Sequence, residues 1–439
     1  MSNLLSLLSL GSAGIAAHNT GVGVATNNVA NVNTRGYSRQ RVDLESLIGN
    51  PGGVRSGTPD RLQSSLLGGR IRTASGSLAM STAFSNALTD LEARLVQSGP
   101  SIDDQLGSVM SRLQQVSAAP TDPTTRDAVV EAVRELVAGI HERGVQFDAA
   151  LAESNQRIRD NAQAASDLAQ RLADTNLAVA KDNDPVLRDE RDRIATELSE
   201  LVGGSARVDG DGQMRFVLDN GAVLVDGKHA AKLDAKPDPV TQDIKLSVGT
   251  RDVTTSLGGS IGADQRFRDG TLATAKTDLD QLAFDMANQM NTVHAGNVAL
   301  DGSTGNAIFV APTGVAGAAT ALAIDPGLDA DSTKLATRGP GGGPGDNAGA
   351  LALIGTGQTY ANRAIDLVAK VATEGSRARG EVTRDTLVNE HLAGLRDSLS
   401  GVDIQEELTN LARFQHASSA MTSFVSTIDQ MLGDLIDRL

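Results

Sequence analysis

The chain has 439 residues, enough for about three domains at roughly 150 residues each. Its 39 Lys and Arg against 54 Asp and Glu leave a net charge of −15, which argues against nucleic acid and anionic membrane surfaces as partners, since both need clustered cations. Cysteine is absent, and with it disulfides, thiolate metal sites and cysteine nucleophiles.

Aromatic residues are scarce, with eight Phe, two Tyr and no Trp. Large aromatics dominate most compact cores and ligand pockets, so this composition predicts Leu, Val, Ile and Ala packed along helices. No Asp, Glu, Lys or Arg precedes Arg35. The short apolar patch near residue 4 has no cation before it, so a cleaved secretory signal is not expected. The same stretch is too rich in Ser, Asn and Gly to span a bilayer. A solvated surface helix would carry charge on its outer face, so this one reads as a surface built to be covered.

A heptad runs through that stretch: Leu4, Leu8, Gly11, Ile15, His18, Val22, Ala25, Val29 and Val32 alternate spacings of four and three, the seam of a coiled coil. A second closes the chain through Ile404, Glu407, Leu411, Phe414, Ser418, Met421, Val425, Ile428, Leu432, Leu435 and Leu439. Each helix would be about 50 Å long. One leads into the body and the other returns from it, so the two are expected to pair antiparallel.

Between them, helical periodicity dominates. Phe84, Leu88, Leu91 and Leu95 line one face; Ile102, Leu106, Met110, Leu113 and Val116 line another, with Ser101 and Asp104 placed as a capping box. A longer run from Phe147 to Val179 stops at Asn183-Asp184-Pro185, and a short helix with Ile194 and Leu198 ends at Gly203-Gly204. Further helices are predicted over 272–293, 351–371 and 382–399. From 205 to 257 the texture changes. Residues 214–218 and 222–225 flank Asp219-Asn220-Gly221, a strong hairpin signal, and Ile244, Leu246 and Val248 alternate as a half-buried strand would. Residues 308–324 are a weaker strand candidate, and 338–345 form a Gly-Pro loop.

The expected fold class is mainly α with a β-rich insertion: paired N- and C-terminal coiled-coil helices, an elongated helical body and a smaller β domain. The terminal coiled-coil unit is 1–45 with 400–439. The body is 46–204 with 258–310 and 345–399. The β-rich outer unit is 205–257, with 310–344 as a further candidate part.

Catalytic chemistry does not emerge. The six histidines are scattered without metal-ligand spacing. Asp209-Gly-Asp211-Gly-Gln213 starts like a calcium loop but has Met214 at the sixth position and Asn220 at the twelfth. Gly258-Gly-Ser260-Ile-Gly262 fits a nucleophile elbow only if a helix follows at once, and a flexible linker is the expectation. The run Arg188-Asp-Glu-Arg-Asp-Arg193 reads as a solvated, ion-paired face. No catalytic, cofactor or metal residues are assigned.

One stretch is specific. Asn27-Asn28-Val29-Ala30-Asn31-Val32-Asn33-Thr34-Arg35-Gly36-Tyr37 ends the first helix. Asn side chains can bond free backbone groups at a helix end, Gly36 allows positive φ for the exit, and Tyr37 offers a large amphipathic contact. With the uncharged helix before it, the stretch resembles the N-terminal signature of the bacterial flagellar axial family of rod, hook and hook-associated proteins, carried here by Asn27, Asn28, Asn31, Asn33, Thr34, Gly36 and Tyr37. Further segments are similar to the hook-associated branch: 120–126, 187–193 with Glu197-Leu198, Asn291-Thr-Val-His294-Ala-Gly296, and 400–407 with Asn410-Leu-Ala-Arg-Phe-Gln415. Ser418 departs from the family, which often has an aromatic there, and Gly21 and Gly23 are expected to loosen the first helix.

The resemblance implies a non-enzymatic structural subunit at the junction of hook and filament. It would be exported unfolded without signal cleavage, remain extracellular in the flagellum, and assemble around the flagellar axis. Its implied partners are its own copies, the hook protein, the second junction protein (hook-associated protein 3) and an export chaperone. The assembly and chaperone helix would use Ile404, Leu411, Phe414, Met421, Val425, Ile428, Leu432 and Leu435. No nucleic acid, membrane or cofactor is expected. A rod or hook subunit is the nearest alternative, and a secreted enzyme with an unrecognised site is the alternative from another class.

Overall fold

The computed structural model describes residues 2–34, 36–47, 52–97, 99–240 and 242–437. Arg35 in the axial signature and Leu439 at the end of the second heptad lie outside these residues.

The chain opens with helix α1 (Ser2–Ala30) and a nested pair of antiparallel ribbons. Of these, β1 (Gln40–Arg41) pairs with β4 (Asp60–Arg61), and β2 (Leu44–Leu47) pairs with β3 (Gly53–Ser56). Helices α2 (Ser65–Gln97), α3 (Ile102–Ala118), α4 (Pro123–Lys181) and α5 (Pro185–Val202) follow. Their starts obey local chemistry. Ser101 accepts from the Asp104 amide, and Asp122 and Asp184 cap helices whose first residue is Pro123 or Pro185, where a missing N–H costs nothing.

Strands β5 (Ser205–Val208), β6 (Met214–Val217), β7 (Val223–Asp226) and β8 (His229–Ala230) make a four-stranded antiparallel meander. Strands β9 (Leu233–Pro237), β10 (Ile244–Val248) and β11 (Arg251–Asp252) make a second, three-stranded sheet. The β6–β7 turn carries Gly221 at φ +80°, the left-handed conformation its sequence signalled.

The expected linker at 258–262 is instead the start of a helix. Helix α6 (Gly259–Arg266) passes through a π-helical turn (Phe267–Leu272) into α7 (Ala273–Ala295). The glycines serve close approach rather than looseness: a β-carbon on Gly259 would stand 2.5 Å from the Glu200 carbonyl oxygen, and one on Gly203 would stand 2.8 Å from Gly258 Cα.

After α7, a run of small elements comprises β12 (Val298–Ala299), β13 (Phe309–Val310), α8 (Ala318–Ala321), β14 (Ala323–Ile324), α9 (Pro326–Ala330) and β15 (Ala336–Arg338). Helix α10 (Ala348–Ser400) is one unbroken helix where two were predicted, and α11 (Ile404–Ile436) returns along α1.

Two cores result. The first joins α2, α3, the first half of α4, α7 and α10 around Phe84, Leu106, Leu136, Phe147, Met286 and Leu353. The second joins the far half of α4 and α5 to the seven inserted strands through Ile158, Leu172, Leu198, Phe216, Leu224 and Leu246. Within 310–344, grouped above as a candidate part of the inserted unit, Leu322, Leu328 and Leu335 pack on the first core, as does Phe309 just before it. Their apolar side chains fit the gap between α4 and α7.

Candidate functional site: the root of the terminal helix pair

Helices α1 and α11 form a pair that stands outside both cores. The stripe of α1 most buried in it is Gly11, Gly14, Ala17, Gly21, Val24, Ala25 and Asn28, while Leu8, Ile15, Val22 and Val29 are only half-buried. The seam is thus rotated toward the small residues. Phe414 lies over Gly21, Met421 over Gly14, and Val425 with Phe424 over Gly11. A bare glycine backbone lets a bulky side chain of the other helix approach where a β-carbon would stand. The reading of Gly21 as a loosening residue is therefore corrected: it is the socket for Phe414. Gly23 is exposed, with no atom within 4 Å of where its β-carbon would be.

On α11, Ile428 is buried; Leu411, Phe414, Met421, Val425 and Leu432 are half-buried; Ile404 and Leu435 are exposed. Ser418, the departure from the family pattern, donates to Asn19 Oδ1 at 2.9 Å. Two further apolar residues of α11 face outward on either flank of the seam, Leu408 at 45% and Met431 at 52% exposure.

The axial signature forms the root of this pair. Asn31 Nδ2 donates to the Asn27 carbonyl at 3.0 Å, and Thr34 Oγ1 donates to Asn31 Oδ1 at 3.2 Å, closing the end of α1. Asn27, Asn33 and Thr34 are exposed. Gly36 turns the chain at φ +87°. That exit aims Tyr37 back at the helix, where its hydroxyl donates to Asn28 Oδ1 at 2.8 Å.

Asn28, fully buried, spends both ends of its amide. Its Oδ1 accepts from Tyr37 and from the Gln40 N–H at 2.9 Å, and its Nδ2 donates to the Gln40 carbonyl at 2.9 Å and to Glu407 Oε2 at 3.1 Å. Glu407 is itself only 2% exposed, and Arg39 Nε donates to its other oxygen at 2.8 Å. Burial, with the Asp189 and Glu407 carboxylates, pushes the Tyr37 phenol up to about 12, because a phenolate would add negative charge to a desolvated, already anionic site. The Glu406 carboxylate, with Glu407 behind it, raises Arg39 above the ordinary guanidinium value.

The same stem is fastened to the body. The Ser38 N–H donates to Asp189 Oδ2 at 3.1 Å, Arg61 bridges Asp189 at 2.6 Å and Asp192 at 3.0 Å, and the Arg39 N–H reaches the Ser400 carbonyl at 3.1 Å. The charge run at 188–193 is therefore not wholly a solvated face. Arg191 is buried and donates to the Gly212 carbonyl, and Asp189 turns inward to the stem. Cavities of about 570 and 810 Å³ flank the stem; Gly36, Arg396 and Ser400 line both. Sequence reasoning missed Arg39, Gln40 and Asp189 as site residues, and it placed Glu407 in the second heptad and in the resembling segment 400–407 without a partner.

The described residues contain no grouping of His, Asp or Glu able to hold a metal ion, and no described helix is long and apolar enough to cross a membrane. What this geometry can do is mechanical: it fixes two long helices to each other and to a helical body.

Comparison with known proteins agrees with that character. A family model described as the flagellar hook-associated protein FlgK helical domain matches residues 88–309, just over half of the chain. The chain belongs to the flagellar hook-associated protein FlgK family. It is 26% identical to flagellar hook-associated protein 1 of Bacillus subtilis over 97% of this chain and 96% of that protein. It is 24% identical to flagellar hook-associated protein 1 of Salmonella typhimurium over 69% of this chain and 59% of that one. Its fold is similar to that of the flagellar hook junction protein FlgK from Burkholderia pseudomallei, with a TM-score of 0.51 and 21% identity over 55% of this chain and 46% of that chain. The family consists of structural flagellar proteins, so the chain is a flagellar component and not an enzyme.

Proposed function

We propose that this chain is the subunit that forms the junction between hook and filament, polymerising around the flagellar axis through its terminal helices. One observation carries the reading: α1 and α11 form a thin pair, only Glu407 and Ile428 of α11 are buried in it, and Leu408 and Met431 are left uncovered on its two flanks. A 33-residue helix with so little burial gains too little to offset its chain entropy alone, so it is completed by neighbouring copies. The hub at Asn28 and Glu407 then transmits load from that tube to the body.

The hook protein lies below and the second junction protein, hook-associated protein 3, above. The chain reaches the cell exterior unfolded through the flagellar export channel. Before export, α11 is held by a chaperone that covers Leu411, Phe414, Met421, Val425 and Ile428 as an amphipathic helix in a groove; chaperone binding that survives removal of 404–439 would rule this out.

The test of the junction role is deletion of the gene, with electron microscopy of the cells and an assay of flagellin in the medium. Bare hooks with flagellin lost to the medium are expected. Absent hooks would move the chain to the rod or hook, and normal filaments would overturn the reading.

A further inference from the structure

Two segments that resemble the hook-associated branch, 120–126 and 291–296, lie far apart in sequence and meet on one strand. Arg126, from α4, is fully buried, with no carboxylate partner among the described residues. Its NH1 donates to the Leu335 carbonyl at 2.8 Å, its NH2 to Thr337 Oγ1 at 2.7 Å and its Nε to the Pro120 carbonyl at 2.8 Å. His294, from α7, is also fully buried and takes the residue between them: the Ala336 N–H donates to its Nε2 at 2.7 Å. An imidazole nitrogen that accepts carries no proton, so the ring is neutral with its hydrogen on Nδ1, which donates to the Asn306 carbonyl at 2.8 Å. Asn306 in turn donates to the Lys334 carbonyl at 3.2 Å.

Three consecutive residues, 335 to 337, are thus held by one permanent cation and one neutral imidazole. We propose that His294 is a proton-released catch: a proton on Nε2 breaks its bond to the Ala336 N–H and loosens the lobe 297–338 from α4 and α7 while the second core stays closed. Burial, not charge, favours release over tolerance of the proton. Asp325 is the carboxylate that acts on the ring. Asp301 and Asp331 are exposed and committed to Ser303 and Thr333. Arg126 is the permanent cation that binds Leu335 and Thr337, and Arg338 donates away from the ring to the Ala299 carbonyl. Burial already holds His294 below its ordinary value of 6.5. The catch is therefore fully closed above about 6.5 and weakens as pH falls below it, because the opened state takes up the proton first.

The experiment is hydrogen exchange on the full chain from pH 7.5 to 5, corrected for intrinsic exchange. Protection across 297–338 should fall by up to about tenfold per pH unit below 6.5 relative to 205–257. In His294→Gln, whose amide oxygen can still accept from Ala336, the two regions should keep a constant ratio. A constant ratio in the unmodified chain, or the same fall in the variant, overturns the proposal. Should the variant fail to fold, nitrogen-15 NMR of the unmodified chain decides. Protonation of the Nδ1–H imidazole in step with lost protection supports the catch. An imidazole that takes its proton with 297–338 still protected contradicts it.

Discussion

The Phe414 ring rests on the bare backbone of Gly21, where a β-carbon would stand 2.7 Å from Cδ1. Gly21→Ala should therefore weaken the assembled helix pair by about 1–3 kcal/mol, the usual cost of overpacking. Gly23→Ala, with nothing near its β-carbon, should strengthen it by about 1 kcal/mol through helix propensity. The dissociation temperature of the assembled form reads both. Equal effects from the two substitutions would contradict the glycine seam.

In the free monomer, the terminal pair should be largely unformed. Amides across 4–32 and 404–439 should exchange at once while those of the first core remain slow; strong protection in both terminal stretches would contradict assembly-linked ordering. Tyr37 offers a second readout, because the chain has two tyrosines and no tryptophan. In a Tyr360→Phe background, ultraviolet titration of the monomer should find Tyr37 at its ordinary value near 10. In the assembled form, the phenol pushed up to about 12 should resist ionisation. Its stabilising share is complete below pH 10 and is lost as pH rises toward 12, so alkaline dissociation should begin above pH 10.

Arg39 pairs with Glu406 at 2.5 Å and Glu407 at 2.7 Å, but the Glu406 side chain is 55% exposed and that of Glu407 only 3%. Glu406→Gln should cost about 0–1 kcal/mol of assembled stability. Arg39→Met strands a buried carboxylate and should cost about 3–5 kcal/mol. Asn28→Asp belongs with the larger group, since it cannot donate to Glu407 and sets a second carboxylate beside it. Dissociation by denaturant ranks the three, and a Glu406 variant as weak as the Arg39 variant would contradict the hub.

Much of this was legible because it rests on local chemistry. The helices at both ends, the Ser101 and Asp104 capping pair, the break at Asn183-Asp184-Pro185 and the Asp219-Asn220-Gly221 turn are set by residues within one or two helical turns. The Gly-rich seam was not, because the seven-residue spacing of Ile15, Val22 and Val29 is shared by Gly14, Gly21 and Asn28 one position earlier, and the pattern of large residues does not say which of the two rows meets the partner. Arg39, Gln40 and Glu407 escaped for a different reason. Arg39 and Glu407 are 368 positions apart, and nothing near either names the other. The ribbons at 40–61 escaped because strands of two to four residues carry too little alternation to read.

We infer that the strands between 205 and 257 are a dispensable outer unit. The Gly258 N–H donates to the Val202 carbonyl at 2.9 Å, so the chain enters and leaves at one point. Excision of 205–257 should leave exchange protection of the first core unchanged and remove it from the far half of α4, whose Ile158 and Leu172 the strands help to cover. Junctions should still form, and loss of first-core protection would contradict the division.

The central claim concerns place, and labelling tests it directly. An epitope inserted between Asn220 and Gly221, at an exposed hairpin turn, can be marked with antibody-coated gold on isolated flagella. A single band at the boundary of hook and filament is the predicted result. Gold distributed along the hook, the rod or the filament would contradict the account.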